Sequence, residues 1–140
     1  MRAVIDNNLF VSGLLWGDRP GRVLAAVAEG HVQLFLSEEL LTELRDVLHR
    51  RKFAARLALT LLTPETALAK AQATAQLVPA SPILAPPTLR DPDDLAVLAC
   101  AVSAAVDVII TGDKDLLTLK SFQGISIIDA AEALKRLGLS

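Results

Sequence analysis

The segment Val108-Ile109-Ile110-Thr111-Gly112-Asp113 decides how the rest of the chain is read. Three β-branched apolar residues in a row predict a strand buried on both faces, because a strand with one wet face would alternate. Thr111 and Asp113 follow at once, with Gly112 between them to allow a tight exit. Near the start, Ala3 to Asp6 has the same form: a short apolar run closed by Asp6 and then by Asn7 and Asn8. Strands of this kind belong to parallel sheets covered by helices, and a polar residue where such a strand stops is informative, since open parallel sheets bind ligands outside the carboxyl ends of their strands.

The intervening chain alternates as a parallel sheet requires. Pro20 to Glu29 has helical apolar spacing with Gly30 as its cap, and Val32 to Leu36 reads as a second strand. Ser37 caps a helix with Glu38 and Glu39 in its first turn, and Leu40, Leu41, Leu44, Val47 and Leu48 form its apolar face. Phe53 to Leu62 reads as helical, and Thr63-Pro64-Glu65 restarts a helix to about Gln76, the two forming a helical hairpin. Five of the seven prolines lie between Pro79 and Pro92, which predicts a loop after a short extended piece at Gln76 to Val78. Asp91-Pro92 opens an almost wholly apolar helix, Leu95 to Ala105, buried on most sides. Asp113 to Leu119 is a short helix and Ile125 to Ile128 a last strand. Asp129 to Glu132 has capping-box spacing for a terminal helix to about Leu137. The expectation is one α/β domain over residues 1–140, a three-layer α/β/α fold with a mostly parallel central sheet.

Composition narrows the function classes. With 140 residues, 52% of them hydrophobic, the chain can build its own core without disulfides or structural metal. One cysteine (Cys100) and two histidines (His31, His49) leave no disulfide framework and no Cys/His zinc site, which points to a reducing compartment, the cytoplasm by default. Neither a signal-peptide apolar region nor a membrane-length apolar run is present, so a soluble protein is expected. Fourteen Lys and Arg against sixteen Asp and Glu give a net charge of −2, so nucleic acid would have to be held by a local patch. Aromatic residues at 4% leave few platforms for base stacking. Cys100 and His31 read as a core residue and a turn residue; Phe10 and Trp16 are expected to pack.

Acids from four segments would meet at one edge of such a sheet. Asp6 and Asp113 close strands, while Asp91, Asp93 and Asp94 cluster in the first turn of the apolar helix. Glu43 lies about 40° around the helix from Val47, at the rim of its apolar stripe. First-turn acids are favoured by capping and dipole alone, which accounts for any one of them but poorly for four converging segments. Crowded carboxylates raise one another's pKa, and an all-oxygen donor set without His or Cys suits Mg²⁺ or Mn²⁺. Arg45, Arg50, Arg51, Lys52 and Arg56, with His49, form a candidate cationic patch, and Lys114 is expected to be the basic residue nearest the cleft.

Val4-Ile5-Asp6-Asn7-Asn8-Leu9, the stretch Ser37 to Leu44, Asp91-Pro92-Asp93-Asp94 leading into Val97-Leu98-Ala99, and the stretch Ile110 to Leu117 together resemble the PIN-domain family, in order and over nearly the whole chain. More narrowly, they resemble the PIN-family toxins of prokaryotic toxin–antitoxin pairs. The resemblance implies a metal-dependent endoribonuclease that hydrolyses RNA phosphodiester bonds. It implies Asp6, Glu43, Asp94 and Asp113 as the catalytic quartet, with Asp6, Asp94 and Asp113 binding Mg²⁺ or Mn²⁺. Asp115 is implied as an accessory acid, Asn8 and Thr111 as polar supports, and Arg45, Arg50, Arg51, Lys52 and Lys114 remain the candidates for holding RNA. Homodimers or higher homo-oligomers and a cognate antitoxin covering the cleft are implied as partners. Asn7 departs from the family's usual Thr. Asp94 is preferred to Asp93 because the family places its acid three residues before the Val97 run.

Three competing readings fit less well. A phosphoacceptor receiver domain wants an acid pair after its first strand and a Lys after its last, where this chain has one acid and Ile127-Ile128-Asp129. A phosphohydrolase with an Asp nucleophile wants Asp-x-Asp, and residue 8 is Asn. A PIN-like module kept only for binding RNA or protein should have lost acids that here remain.

Overall fold

A computed structural model describes residues 1–89 and 91–139 of the chain; Arg90, within the expected proline-rich loop, and Ser140 lie outside the described residues. The elements follow in the order β1 (Arg2–Ile5), α1 (Asn7–Leu15), α2 (Asp18–Ala28), β2 (Gln33–Leu36), α3 (Glu38–Leu48), α4 (Arg51–Leu59), α5 (Pro64–Thr74), β3 (Ala75–Leu77), α6 (Pro92–Ser103), β4 (Val108–Ile110), α7 (Lys114–Leu119), β5 (Ser121–Phe122), β6 (Ile125–Ile128) and α8 (Ala130–Arg136).

The strands form one sheet in the order β3-β2-β1-β4-β6-β5, parallel throughout except for β5, which pairs antiparallel with β6. Ala3, Val4 and Ile5 of β1 and Val108, Ile109 and Ile110 of β4 are all buried, as consecutive apolar residues of a strand covered on both faces must be. The α/β class and three-layer arrangement are those expected. Crossovers between parallel strands are right-handed, so α1, α2 and α5, on the way out to β3, cover one face, and α6, returning from β3 to β4, covers the other. The packing agrees: α6 rests on β1, β2 and β4, while α2 packs on α1 and α8. From β1 the chain runs outward to β2 and β3, and from β4 it runs the opposite way to β6. The order therefore reverses between β1 and β4, which opens the crevice that a doubly wound sheet uses for ligands. A receiver domain, with strand order 2-1-3-4-5, has its third strand beside the first; here β3 lies outside β2, which removes that reading.

Several local expectations change. Helix α1 has no counterpart in the sequence reading, because Asn7, Asn8, Ser12 and Gly13 are poor helix formers; tertiary packing and the Asp6 cap, which accepts from the Asn8 N–H, override propensity. Strand β5 was also unforeseen, although Gln123 and Gly124, both at positive φ, make the two-residue turn of a hairpin. Helix α5 ends at Thr74, not Gln76, and packs on α3 rather than forming a hairpin with α4. Trp16, expected in the core, is 47% exposed, while Phe10 is buried.

Gly13 lets α1 and α2 meet closely. A Cβ there would stand 2.9 Å from the Pro20 carbonyl oxygen and 2.7 Å from Leu24 Cδ1, and the carbonyl cannot swing aside as a side chain can. Overpacking costs about 1–3 kcal/mol, against about 1 kcal/mol that Ala gains over Gly in a helix. Gly13→Ala is expected to destabilise the fold by about 1 kcal/mol net in urea unfolding; a stabilised variant would mean the contact is slack.

Candidate active site

The site begins where β1 ends. The Asp6 N–H donates to the Ile110 carbonyl at 3.0 Å, extending the β1–β4 ladder by one residue, and its carboxylate caps α1. Leaving the sheet as it enters a helix, Asp6 is held with its carboxylate at the crevice, only 7% exposed. On the neighbouring strand, the Thr111 N–H bonds the Ile128 carbonyl at 2.9 Å, which fixes the residue just past β4. The buried Thr111 hydroxyl donates to Asp6 Oδ2 at 2.8 Å and accepts from the Asp113 N–H at 3.0 Å. One hydroxyl thereby sets the spacing of two strand-end acids. Asp113 in turn caps α7, accepting from the Leu116 N–H.

Helices supply the other two acids. Asp91 caps α6 by accepting from the Asp93 N–H at 2.9 Å, Pro92 fills the first helical position, and Asp94 is buried against the sheet edge. Asp93, the alternative, is exposed. Glu43 lies in the middle of α3, half-buried as its place at the rim of the apolar stripe predicts. Asn7, the departure from the family pattern, is buried and donates from Nδ2 to the Leu40 carbonyl at 2.9 Å, fastening the start of α1 to α3.

All four expected acids line one cleft of about 430 Å³, with Asn8, Asp91 and Asp93. Among the described residues, six carboxylates face a single cation there, Arg50. Leu9, Ser12 and Gly112 complete the wall. The sequence reading missed the first two because it left α1 unassigned. Arg45, Arg51, Lys52 and Lys114 are exposed and do not line the cleft, so among the described residues Arg50, not Lys114, is the basic one within it. A second cavity of about 300 Å³, between α1, α2 and α5, is walled mainly by apolar residues such as Phe10, Leu14 and Leu24, with Lys70 its one charged group.

The crowding is written in the proton affinities. Burial pushes Asp6 above the ordinary carboxylate range, against the Thr111 and Asn8 hydrogen bonds and with the nearby charges of Asp113 and Asp93. Glu43 is raised to about 7 by burial and by Asp93 and Asp6, with Asn7 and Arg50 opposing. Asp94 is raised to about 7 by burial, by a hydrogen bond to Asp113 that only its protonated form can donate, and by the charges of Asp113, Asp91 and Asp6.

One carboxylate oxygen from each of Asp94, Asp113 and Asp115 lies within 4.8 Å of the other two. A Mg²⁺-sized ion at roughly 2.1 Å from each ligand spans up to about 4.2 Å between two of them, so small side-chain adjustments close this set around an ion. The donors are hard oxygens, the kind such cations select. Asp115 thus stands nearer this grouping than its accessory role implied, and Asp6 stands outside it, tied to Thr111.

Two comparisons bear on these residues. Over residues 2–115 the sequence matches the family described as PIN domain, a span that holds every acid of the cleft. No curated protein matches the sequence.

Two tests follow from the geometry. Thr111→Val removes the donor to a buried carboxylate and is expected to cost about 1.5–3 kcal/mol, the range for hydrogen bonds to charged groups, whereas Thr111→Ser keeps the hydroxyl and loses less. Equal losses in the two variants would show that the hydroxyl is not what matters. The second test concerns pH. Asp94 and Glu43 have folded pKa values of about 7 against about 4 unfolded, so between those values the folded chain binds more protons and its stability falls as pH rises. In EDTA the melting temperature is expected to drop from pH 5 to pH 8, and Asp94→Asn to shrink that drop by about 4 °C, the shift that roughly 1 kcal/mol produces at this chain length. An unchanged drop in the variant would remove Asp94 as a source of the repulsion.

Proposed function

As the chain belongs to the PIN-domain family, whose members are generally nucleases, we propose that it is a Mg²⁺- or Mn²⁺-dependent endoribonuclease acting as the toxin of a toxin–antitoxin pair. The observation that carries the reading is the convergence of carboxylates from β1, α3, α6 and the β4–α7 turn on the crevice where the strand order reverses. Acids serving only as caps would have no reason to share one cavity.

In this reading Asp94 and Asp113, with Asp115, would hold the cation directly, and Asp6, tied to Thr111, would face it from beside that grouping. Mg²⁺ or Mn²⁺ there supplies Lewis-acid chemistry, neutralising charge at the phosphate and acidifying water. The chain's own work is placement. Thr111 keeps Asp6 and Asp113 at a fixed separation, so both can orient a water for attack on phosphorus. Glu43, across the cleft on α3, is left to move a proton to or from the reacting oxygens. Arg50, in the cleft, offers its positive charge to a phosphate oxygen, which makes binding fall with salt. Arg45, Arg51 and Lys52 extend that charge outside the cleft, and Asn8 lies at its wall.

The remaining parts of the proposal concern partners. A cognate antitoxin would cover the acidic cleft. A homodimer or higher homo-oligomer would use exposed apolar side chains such as Leu59 and Leu61, which stand 74% and 93% exposed beside the α4–α5 turn. Cytoplasmic residence suits the single buried cysteine. Among the described residues no helix is long and apolar enough to cross a membrane.

The test is cleavage of RNA by purified protein, freed of any co-purified partner, with Mg²⁺ or Mn²⁺ and with EDTA. Cleavage is expected to require the ion and to fall in Asp6→Asn and in Asp113→Asn by on the order of 100-fold or more, since even outer-shell partners of a metal site cost about 10–100-fold. Activity that persists equally in both variants or in EDTA would belong to a contaminant. Ion binding without cleavage of any RNA would favour a non-catalytic PIN-like binding module.

A further inference from the structure

The exposed Trp16 extends the cleft. Asn8 and Ser12, which line the cleft, and Trp16, the capping residue of α1, follow one another at four-residue spacing and so share one face of the helix. That face runs from the carboxylates outward over about 12 Å. Helix α4 starts from the same place, because Arg50, in the cleft, is its N-terminal capping residue. Its far end returns to α1: Arg56 Nε donates to the Leu15 carbonyl at 2.8 Å, and the Arg56 guanidinium sits 5.6 Å from the centre of the Trp16 ring. Phe53 meets the indole edge-on at 6.0 Å, and the Lys52 ammonium lies 4.9 Å from the Phe53 ring centre. Trp16 is thus held in place by α4 and still 47% exposed, with the cations of α4 along one side of it.

A half-exposed indole fixed by its neighbours offers a pre-ordered flat surface, and those neighbours indicate what it suits. An apolar protein partner would call for an uncharged surround, whereas Arg56 lies against the Trp16 ring and Lys52 against the Phe53 ring that packs on it. Flat π-faces joined by phosphates match an aromatic ring flanked by cations, the arrangement by which proteins hold single strands without reading their sequence. We propose that Trp16 is a stacking platform for a base of the single-stranded RNA whose phosphodiester lies in the acidic cleft, with Arg50 and Lys52, at the start of α4, holding the intervening phosphates and Arg56 fixing the indole. The proposal rests on the nuclease reading for the identity of the substrate and assigns it a second point of attachment, outside the carboxylates.

Trp16 is the chain's one tryptophan, so its fluorescence reports on this residue alone. Titrating the protein with oligouridylate in Ca²⁺, which fills an all-oxygen site without the octahedral geometry of Mg²⁺, is expected to quench that fluorescence saturably, and raised salt to shift the titration to higher RNA concentration. In cleavage assays Trp16→Ala is expected to raise KM about tenfold with kcat nearly unchanged, as loss of one base–aromatic stack does, and Trp16→Phe to recover most of the loss. Circular dichroism shows whether the Ala variant is folded, and the quenching measurement on the unaltered protein stands without any variant. Absence of quenching at RNA concentrations that saturate cleavage overturns the platform and leaves the nuclease intact. So does an unchanged KM in a folded Trp16→Ala. Quenching with no cleavage under any metal condition keeps the platform and removes the nuclease. Quenching by a co-expressed protein partner but not by RNA assigns the surface to that partner and overturns the proposal.

Discussion

The Thr111 hydroxyl, donating to Asp6 and accepting from the Asp113 N–H, is the interaction on which the site depends. It joins the ends of β1 and β4, the two strands between which the sheet reverses direction. Without a donor, the Asp6 carboxylate would be buried beside two other acids with only one backbone N–H to hold it. Without an acceptor, the Asp113 N–H would be left to find water at the edge of the sheet. Each strand-end acid also caps the helix that follows it, so the residues that terminate the strands start the helices that wall the cleft. Fold and site use the same carboxylates, and neither can be altered alone.

That economy has an electrostatic cost. Among the described residues six carboxylates share the cleft with one arginine, and burial together with the neighbouring charges raises the proton affinity of Asp6, Glu43 and Asp94. A chain selected for stability alone would replace Asp94 with an apolar residue, since α6 is otherwise almost entirely apolar and buried. The arrangement makes physical sense for a site whose resting ligand or substrate is positively charged or carries a cation with it. A bare phosphate backbone would be repelled by such a cleft, which is why the positive charges outside it, on α4, matter to how a polyanion could approach.

Much of this was legible in the residues and some was not. Uninterrupted apolar runs ended by acids identified β1 and β4, and capping chemistry located α3, α6 and α8 closely. Strand-end logic pointed to Asp6 and Asp113 and the helical wheel to Glu43, while the choice of Asp94 over Asp93 came from the family resemblance; all four line one cavity. Helix α1 was hidden because its opening Asn7-Asn8 and central Ser12-Gly13 carry no helix propensity; contact with α2 through Gly13, and the Asn7 bond to α3, stabilise it only in three dimensions. With α1 unseen, Ser12 could not be placed in the cleft, nor Trp16 on its rim. The cationic run was visible as composition, but which member faced the acids depended on the break between α3 and α4, where Arg50 alone turns into the cleft.

The same break explains why charge near the site is partitioned rather than mixed. Because Arg50 ends one helix register and begins another, the remaining cations follow α4 away from the acids instead of neutralising them. Direct pairing of Arg51 or Lys52 with Asp93 would relieve the repulsion and also occupy the carboxylates. Among the described residues no Lys or Arg forms an ion pair with the cleft acids, while Arg56 is committed to the Leu15 carbonyl and the Trp16 ring. A cleft that keeps its negative charge, beside a helix that keeps positive charge at a fixed distance, suits a ligand with both kinds of charge along its length: a cation at one point and phosphates on either side of it.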